Sequence, residues 1–575
     1  MRVTKIFWPG NLLLIILTLM LTACGADTAQ GFKASPNWSR GALLGDKVKG
    51  TAGGSVDSAG EHIYLVWPRL QGQDTVVLHY MQLNQKGAAV VDRDLTLPLP
   101  NPRAPRLLLS NDHTLHLFWK TRSAKSGQIE LWRALLTEDG QLQGAARRIS
   151  PATANVDSYS IAADGAGGAI IVWNDKDSGE IFVTRLDATG QPQSEATRIA
   201  ARGSSPDVRV DSQGLLHLVW REGNRFYYTA FPKTTFSPAS PPLQIARISL
   251  GTGDSLIGPK LGLSKGWVYV LWSTLSRSGL AAGTASAQFT AFPANAPKMA
   301  KARPLIISIS AAEGDAGAPP VDFEASDFVH QPGTAPGEGS QLAAALLVKQ
   351  LRRYDAIVQV ATVLFADGQY KGYQLAGKTM TLSRQPAITG DGQGNLYVVW
   401  REGSKGEKLY FAATAPQIRA VSDKFSLGDM INLGLRGGFE GLAAVMFLPL
   451  ALPLLVPGLL LLLLGTWITR KNTLDNAALW GVMGAAFALY HGSKFVFLPD
   501  IVRYVPFSAW IDIPAGATTA VQVGVPLGIA FIAVLAAETI RRRRTESALI
   551  YYFTLTLTDT VLTLAVYGVL LLGAL

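Results

Sequence analysis

The sequence contains a single cysteine, Cys24, in 575 residues. A lone thiol excludes an intramolecular disulfide and a thiolate metal site. The seven histidines are scattered, and the chain has no His-Glu-x-x-His motif, no glycine-rich nucleotide loop and no Gly-x-Ser-x-Gly nucleophile elbow. We therefore predict no metal ion and no cofactor, and no motif identifies a catalytic residue.

The N-terminus has the pattern of a secretion signal. Arg2 and Lys5 form a basic region, residues 11–20 form a short apolar stretch, and a Leu-Thr-Ala-Cys sequence ends at Cys24. The tetrapeptide resembles a bacterial lipobox, which implies that residues 1–23 are removed and that the Cys24 thiol is acylated. A plain signal peptide or an uncleaved anchor is the alternative, but the apolar stretch is shorter than the ~20 residues of a bilayer span.

After a polar, small-residue-rich segment at 24–49, predicted as a lipidated tether, one pattern recurs between residues 50 and 426. An apolar run ends in tryptophan six times, at Trp67, Trp119, Trp173, Trp220, Trp272 and Trp400. A period of roughly 50 residues is typical of a repeat architecture. The interval before Trp400 is wide enough for a degenerate copy at residues 341–365, with Lys349 at the tryptophan position. Seven repeats are therefore expected, with six as the alternative.

Each repeat is predicted to contain three or four short antiparallel strands. A proline precedes four of the tryptophans by 13 or 14 residues, at Pro105, Pro206, Pro259 and Pro386. An Asp-x-x-Gly turn stands before the tryptophan strand, as at Asp211 and Gly214. Aspartate accepts hydrogen bonds from amides further along the turn and glycine adopts positive φ, so the pair closes a hairpin. Such a unit is a propeller blade.

The tryptophans are expected to pack between neighbouring blades, where a large ring fills the space between twisted sheets. Exposure on a ligand surface is the alternative. The blade pattern, Asp-x-x-Gly-x-apolar-x-apolar-apolar-Trp, resembles that of bacterial sialidase-like (BNR-like) β-propellers over about residues 50–415. The resemblance implies a propeller fold and, for the hydrolases of that group, an arginine cluster, a tyrosine nucleophile with a glutamate partner, and an aspartate acid/base. The Ser-x-Asp-x-Gly-x-Thr-Trp box of the group is not reproduced, and no motif assigns those roles to positions here.

Two repeats share the tetrapeptide Trp-Arg-Glu-Gly. Its charged residues, Arg221 and Glu222 in one repeat and Arg401 and Glu402 in the other, follow the tryptophan strand. Loops on a rigid scaffold are where binding sites concentrate, so these four residues are candidates for a ligand-facing surface. A salt bridge within the repeat is the simpler interpretation. Residues 311–339, rich in Gly, Pro, Ala and acidic residues, are predicted to form a flexible loop over one propeller face.

Residues 427–440 are predicted as a juxtamembrane linker and residues 441–575 as a transmembrane domain of four helices. The apolar stretches are residues 441–468, 477–498, 518–537 and 548–575. Each exceeds or approaches the ~20 residues that cross a bilayer. The predicted fold class is thus an all-β propeller followed by an all-α transmembrane domain.

Basic residues predict the orientation of these helices. Arg470 and Lys471 follow the first stretch, and Arg541 to Arg544 join the third to the fourth. The positive-inside rule places both loops in the cytoplasm, and the propeller, the lipidated N-terminus and the C-terminus outside the cytoplasmic membrane. Part of the net charge of +10 is then a topology signal, and no nucleic-acid partner is expected.

The apolar stretches contain two unusual sets of residues. Pro449, Pro453 and Pro457 recur at four-residue spacing in the first stretch and should kink it. His491 and Lys494 in the second stretch and Asp559 in the fourth are expected at comparable depth. An ionisable group at such depth usually has a partner. A His491–Asp559 or Lys494–Asp559 pair is predicted, as an interhelical clamp, a proton or ion relay, or a contact with headgroups or a partner.

Three functions fit these features. The leading hypothesis is a receptor or scaffold in the cell envelope that binds a glycan, a peptide or a protein on one propeller face without catalysis. Its membrane contacts are the lipid on Cys24 and the four helices. A sialidase-like glycoside hydrolase is the alternative, and a sensory or transport-complex subunit is the third. A carboxylate pair with an arginine cluster at the propeller centre would favour the hydrolase, whereas a polar, acid-poor centre would favour binding.

Overall fold

The fold was analysed in a computed structural model. The residues that it describes are 35, 37–50, 53–56, 61–72, 74–98, 100–110, 113–236, 241–278, 281–307, 328–351, 356–377, 382–403, 407–424, 448–475, 477–497, 504–507, 515–543 and 547–567. The chain divides into two compact units, one of which contains residues 29–351 and 356–424, and the other residues 425–575. Cys24 and its lipobox lie outside the described residues.

The first unit is a β-propeller of seven blades, which settles the choice between six and seven. Every blade is an antiparallel sheet in which consecutive strands pair. Blade I comprises β2 (Gly53–Val56), β3 (His62–Gln71), β4 (Thr75–Asn84) and β5 (Ala89–Leu95). Blade II comprises β6 (Arg103–Leu109), β7 (Leu115–Arg122), β8 (Ile129–Leu136) and β9 (Leu142–Arg148). Blade III comprises β10 (Val156–Ala163), β11 (Ala169–Asp175), β12 (Ile181–Leu186) and β13 (Thr197–Ala200).

Blades IV to VII continue the same order. Blade IV comprises β14 (Ser204–Val210), β15 (Leu215–Glu222), β16 (Arg225–Pro232) and β17 (Leu243–Arg247), and blade V comprises β18 (Ser255–Ser264), β19 (Trp267–Leu275), β20 (Ala285–Pro293) and β21 (Arg303–Leu305). Blade VI comprises β22 (Val329–Thr334), β24 (Leu342–Leu351), β25 (Ala356–Ala366) and β26 (Gln369–Leu375). Blade VII contains β27 (Ser383–Gly390), β28 (Leu396–Glu402) and β29 (Lys408–Ala413). The short strand β23 (Glu338–Gly339) adds in parallel to β18.

The N-terminal strand β1 (Ala42–Gly45) completes blade VII. It pairs antiparallel with β29, with Ala42 opposite Phe411. The propeller therefore begins inside the segment that was predicted as a tether. A short helix, α1 (Pro416–Ser422), follows the last strand, and its Ile418 packs into the core between blades VII and I.

All six repeat tryptophans are buried, at 2% exposure or less. Trp119 lies with Tyr64 and Tyr80 of the preceding blade, and Trp173 lies with residues of blades II and III. The other four occupy the equivalent clusters between neighbouring blades. The hydrophobic core of the propeller thus consists of a series of interblade layers.

The Asp-x-x-Gly turns have the hydrogen bonds that the motif predicts. The Asp211 carboxylate accepts from the backbone N–H groups of Gln213 at 2.9 Å and Leu215 at 2.7 Å, and Gly214 has a φ of 77°. Asp164 and Asp391 make the same two contacts in blades III and VII. The corresponding turn of blade I lies outside the described residues.

Blade VI, the degenerate copy, forms where it was expected but with a different register. Gly333 in β22 pairs with Ala345, which places Leu346 rather than Lys349 at the tryptophan position. Leu346 is fully buried in the layer between blades V and VI. The prediction of a loop at residues 311–339 was wrong for its last part, because β22 is the inner strand of this blade. Residues 308–327 are not described.

In the described residues of the second unit, five α-helices follow the propeller. They are α2 (Leu448–Ala451), α3 (Val456–Thr469), α4 (Ala477–Phe497), α5 (Thr518–Arg543) and α6 (Ala548–Tyr567). By length and composition, the described part of the chain has two helices that could cross a membrane, at Thr518–Arg542 and Ala548–Tyr567. The expectation of four long spans is thus met only in part. Helix α4 has the predicted length but contains Trp480, His491 and Lys494, which make it less apolar.

The prolines explain the first apolar stretch. Pro449 lies in α2, Pro453 in a 3-10 turn (Leu452–Leu454), and Pro457 in the first turn of α3. Each proline lacks the N–H that would continue the helical ladder. Instead of one kinked helix, the described part of this stretch is divided into three short elements.

Candidate functional site: the central layer of the propeller

The first strands of the seven blades contact one another around the propeller axis. Five of them contain a β-bulge at a proline, and the residue before that proline has positive φ. These residues are Ala104, Ser205, Gly258, Gln331 and Gln385. Four of the five are not glycine, and left-handed backbone at such residues is uncommon outside functional or constrained sites. Bulges also re-aim the side chain that follows.

The residue after each bulge proline occupies an equivalent position in its blade. It pairs with the residue that precedes the tryptophan, as Arg106 does with Phe118 and Asp207 does with Val219. We define the central layer by this register, one residue per blade. Its members, from blade I to blade VII, are Gly53, Arg106, Ser160, Asp207, Lys260, Gly333 and Ala387.

The composition of the central layer is asymmetric. Blades II to V contribute the charged and hydroxyl groups, whereas the three consecutive blades VI, VII and I contribute Gly333, Ala387 and Gly53. A methyl group added at Gly333 would meet only the carbonyl oxygen of Pro386, at 3.6 Å. One side of the layer is therefore polar, and the opposite side leaves space.

Asp207 is the only acidic member of the central layer, and it is fully engaged. One carboxylate oxygen accepts from the Ser160 hydroxyl at 2.5 Å, and the other accepts from the backbone N–H of Leu261 at 2.8 Å. Burial opposes its ionisation, but the charges of Arg209 and Lys260 and these hydrogen bonds outweigh burial and lower the pKa of the carboxyl. Asp207 is thus an ionised group that holds blades III, IV and V together.

Arg209 lies two residues further along β14 and bridges three blades. Its guanidinium is 3.5 Å from the Asp207 carboxylate and donates to the Thr334 hydroxyl of blade VI at 3.0 Å. Thr334 in turn donates to the carbonyl of Leu261 in blade V at 2.5 Å. Nε of Arg209 is buried and has no hydrogen-bond partner among the described residues.

Arg106 and Lys260 come from blades II and V and are both half-buried. Within the described part of the chain, neither side chain makes a hydrogen bond or an ion pair. Burial lowers the pKa of Lys260, and the charges of Arg106 and Arg209 lower it further against the opposing attraction of Asp207. The charge of Arg106 therefore acts against that of Lys260, while Asp207 attracts it.

The two faces of the propeller differ at the axis. The Asp-x-x-Gly turns lie on one face, here the turn face, and the blade-to-blade connections lie on the other, here the connection face. Residues 335–340 leave blade VI on the turn face and reach two other blades. There Glu338 accepts from the N–H groups of Ser212 in blade IV at 3.0 Å and Gly266 in blade V at 2.8 Å. This segment narrows the turn-face end of the axis.

Arg103 and Arg384 stand at the starts of their inner strands, towards the connection face, and both are exposed. Lys120 stands opposite Arg103 in blade II, and its ammonium donates to the carbonyl of Asp157. Burial lowers the pKa of Lys120, although Asp157 opposes the shift. The approach to the central layer from the connection face is therefore bordered mainly by basic side chains, with the exposed carboxylate of Asp157 beside Lys120.

The structure does not bring the four residues predicted for a ligand face into one site. Arg221 donates to Ser204 at 3.0 Å and to the Leu256 carbonyl of the next blade at 3.1 Å. Arg401 donates to Gln385 at 2.6 Å and to the carbonyl of Gly50 at 3.1 Å. These contacts favour an interblade role for both arginines.

The two glutamates of the repeated tetrapeptide differ. Glu402 is buried and accepts from the indole N–H of Trp400 at 2.6 Å. Glu222, in contrast, is exposed. The same sequence pattern therefore has different surroundings in blades IV and VII. In blade VII a salt bridge within the repeat does form, but Arg401 makes it with Glu407 at 3.1 Å and not with Glu402.

In the second unit, the ionisable residues predicted to meet do so. Lys494 and Asp559 form an ion pair, and the same Asp559 oxygen accepts from the hydroxyl of Tyr490 at 2.9 Å. Lys494 also donates to Thr563 at 2.9 Å. The other Asp559 oxygen is 4.0 Å from Nε2 of His491. Asp559 has no exposed surface.

Sequence reasoning missed the central layer, although a signal was present. The prolines before the tryptophans are visible in the sequence, and the residue after each proline is the one that differs between repeats in charge. Arg106, Asp207 and Lys260 stand at that position. In a ring of blades, equivalent positions of different repeats converge on the axis, so such a comparison would have found the layer.

No known protein family matches the sequence, and no curated protein matches it significantly. Among solved structures, the chain is similar to a PL25 ulvan lyase bound to -[GlcA(1-4)Rha3S]-, with 9% identity and a TM-score of 0.43 over 65% of this chain and 96% of that one. It is also similar to the polysaccharide lyase Uly1, with 10% identity and a TM-score of 0.41 over 68% and 94%. A GH43_1 enzyme from Xanthomonas citri has 15% identity and a TM-score of 0.28 over 40% and 85%. At these values no activity or substrate is carried over.

Proposed function

We propose that this protein is a membrane-anchored, extracytoplasmic propeller that binds a ligand at its central layer without transforming it. The observation that carries the proposal is the asymmetry of that layer, with unpaired cations opposite small residues. A concave site with a few convergent polar groups is the usual form of a ligand-binding site. A scaffold that only filled space would gain nothing from two half-buried cations that repel each other.

The state of the carboxylates supports binding over hydrolysis. Glycoside hydrolysis of the usual kind needs two carboxyl groups that flank the scissile bond, one of which moves a proton. In the central layer, the single carboxylate is Asp207, and both of its oxygens already accept hydrogen bonds. Its lowered pKa also opposes a role as a general acid near neutral pH.

Several features support the membrane anchor and the outward orientation. The Leu-Thr-Ala-Cys sequence ending at Cys24 predicts acylation, and α5 and α6 have the length and composition of spans. Two sets of basic residues, Arg470 with Lys471 and the arginines at 541–544, favour cytoplasmic connecting segments by the positive-inside rule. Because Arg470 and Lys471 follow the first apolar stretch, a cytoplasmic position for them favours a propeller on the outer side of the membrane.

The experiment is native mass spectrometry of the full-length protein, extracted from its own membranes in mild detergent. A ligand or partner should be retained at a defined stoichiometry by the wild type and lost from Gly333→Leu, which fills the open side of the layer and leaves every charge in place. Arg93→Gln, on the exposed outer strand of blade I, is the matched control. Retention of a processed product, or turnover of an added oligosaccharide, would replace this proposal with an enzymatic function.

A second function, a subunit of a sensory or transport complex, is supported by the buried Lys494–Asp559 pair. Ionisable groups inside a membrane domain are costly and commonly mark proton or ion pathways. For this alternative, Asp559→Asn should change the response of the assembled complex while the propeller still retains its ligand. An Asp559→Asn protein with an unaltered response would leave the pair as an interhelical clamp.

A further inference from the structure

The charge at the propeller axis is unbalanced. Arg106, Arg209 and Lys260 contribute three basic side chains, and Asp207 contributes one carboxylate, which attracts both Arg209 and Lys260. Half-buried like charges in excess of their counter-ions are unfavourable in the ligand-free protein, because burial weakens the screening of their repulsion. An anion placed between them removes this cost, and it is then bound by charge-assisted hydrogen bonds.

The side of the layer that follows Lys260 around the ring carries only small residues. Gly333 and Ala387 are half-buried members of the layer, and they add almost no side-chain volume. The largest apolar side chain among the seven layer residues is the methyl group of Ala387. A ligand with polar groups around its whole edge, such as a sugar ring, fits this lining better than a peptide side chain does.

We propose that the central layer is an oxyanion-binding site that takes the carboxylate or sulfate of an acidic saccharide between Arg106 and Lys260. The sugar ring then occupies the space beside Gly333 and Ala387. This inference rests on the proposed binding function and specifies the ligand class. The ligand enters from the connection face, because residues 335–340 narrow the other end of the axis.

Arg103 and Arg384 add positive charge at the connection-face entrance to the central layer. Both side chains are exposed at the start of their strands, where they raise the local concentration of anions before contact. Their contribution is screened by salt, whereas that of the half-buried Arg106 and Lys260 is screened less. Arg384→Gln should therefore slow association at low salt and leave the dissociation rate unchanged.

The test uses the full-length protein in phosphatidylcholine nanodiscs and calorimetric titration at fixed ionic strength. The probes are tri-galacturonate for a carboxylate, a sulfated galactose trisaccharide for a sulfate, and the neutral galactose trisaccharide as control. At least one acidic probe should bind and the neutral one should not, and the preferred acidic probe identifies the group. Arg106→Gln and Lys260→Gln should each weaken binding at least about 10-fold, the scale of one charge-assisted hydrogen bond, and Arg93→Gln should not.

A second readout needs no ligand. Lys260→Gln removes the repulsion between Lys260 and the two arginines. The variant should therefore unfold at a higher temperature than the wild type in a buffer without carboxylate, sulfate or phosphate ions. The same variant should lose the stabilisation that the acidic probe gives the wild type. Both shifts are monitored through tryptophan fluorescence, because the interblade tryptophans report on the propeller.

Three outcomes would overturn the inference. Unchanged affinity of the acidic probe in Arg106→Gln and Lys260→Gln would place the anion site elsewhere and leave the binding function intact. Failure of both acidic probes, while Gly333→Leu still loses the native ligand in mass spectrometry, would overturn the ligand class alone. A wild type that retains no ligand and binds no probe would overturn the binding function as well.

Discussion

Asp207 shows how one side chain couples three blades. Its carboxylate joins Ser160 of blade III to the backbone of Leu261 in blade V. Asparagine has the same shape, but its amide nitrogen cannot accept, so one buried donor loses its partner. We expect Asp207→Asn to destabilise the propeller by about 2–3 kcal/mol at pH 7, measured by urea unfolding with tryptophan fluorescence. Asp157→Asn, an exposed carboxylate on the neighbouring inner strand, is the control.

The effect of Asp207→Asn should depend on pH. The pKa of Asp207 is lower in the folded chain than the ordinary value, so its contribution is complete above the unfolded pKa of about 3.9 and is lost as pH falls below it. The stability difference between wild type and Asp207→Asn should therefore shrink between pH 5 and pH 3. A difference that stays constant over this range would mean that the charge of Asp207 does not matter.

The Lys494–Asp559 pair can be tested by a double-mutant cycle. Removal of either partner leaves a buried charge uncompensated, which costs about 3–5 kcal/mol. Lys494→Met and Asp559→Asn should each lower the stability of the helical unit, and the double variant should recover most of the loss. The measurement is thermal unfolding of the full-length protein in nanodiscs, followed by helical circular dichroism. Additive losses would exclude a direct pair.

At the scale of elements, the closing strand β1 should contribute more to the stability of the propeller than its short length suggests. Leu43 and Leu44 pack into the two cores that flank blade VII. Replacing both residues with glycine removes apolar contacts and lowers strand propensity. The loss occurs in the strand by which the N-terminal part of the propeller completes its last blade. We expect the double variant to lose about 2–4 kcal/mol and to unfold at a clearly lower urea concentration.

Val90→Gly is the matched control for the closing strand. Val90 stands in the outermost strand of blade I and is 59% exposed, so the same loss of side chain and propensity occurs there without closure. Its effect should stay within about 1 kcal/mol. Equal losses at the two sites would show that β1 contributes no more to stability than an outer strand that does not close the ring.

The sequence was sufficient for the blades because each blade is a local unit. The turn and the apolar run that identify a blade, such as those before Trp67 or Trp400, lie within one repeat of about 50 residues. It was insufficient for β1, whose partner lies at the far end of the propeller. It also misjudged blade VI by three residues, since Leu346 replaces tryptophan and the longer strand β24 offers Lys349 as a false match.

The site was harder to predict than the fold for the same reason. Arg106 and Lys260 are far apart in the chain and share the central layer only because seven blades close into a ring. Arg221 and Arg401 had the stronger local signal, a shared tetrapeptide, yet their guanidinium groups serve contacts between blades. A repeated motif marks what every blade needs, whereas a binding site is found where the blades differ.

At the scale of the molecule, membrane topology can be tested by thiol labelling. Cys24 is the only natural cysteine, and an acylated thiol does not react with maleimide. In intact spheroplasts, an impermeant maleimide should therefore leave the wild type unlabelled and label Gln213→Cys in an exposed propeller turn. Lys471→Cys should react only after lysis. Labelling of Lys471→Cys in intact spheroplasts would reverse the orientation, and labelling of the wild type would exclude acylation of Cys24.

The closure of blade VII also sets an order of events during synthesis. The backbone N–H of Ala413 donates to the hydroxyl of Ser39 across 374 positions of the chain. On the ribosome, β1 emerges first and its partner strand emerges last, so β1 stays an unpaired edge while six blades form. At 5–20 residues per second this interval is on the order of 20–70 seconds. The newly made protein is thus most exposed to misassembly and proteolysis before its last blade appears.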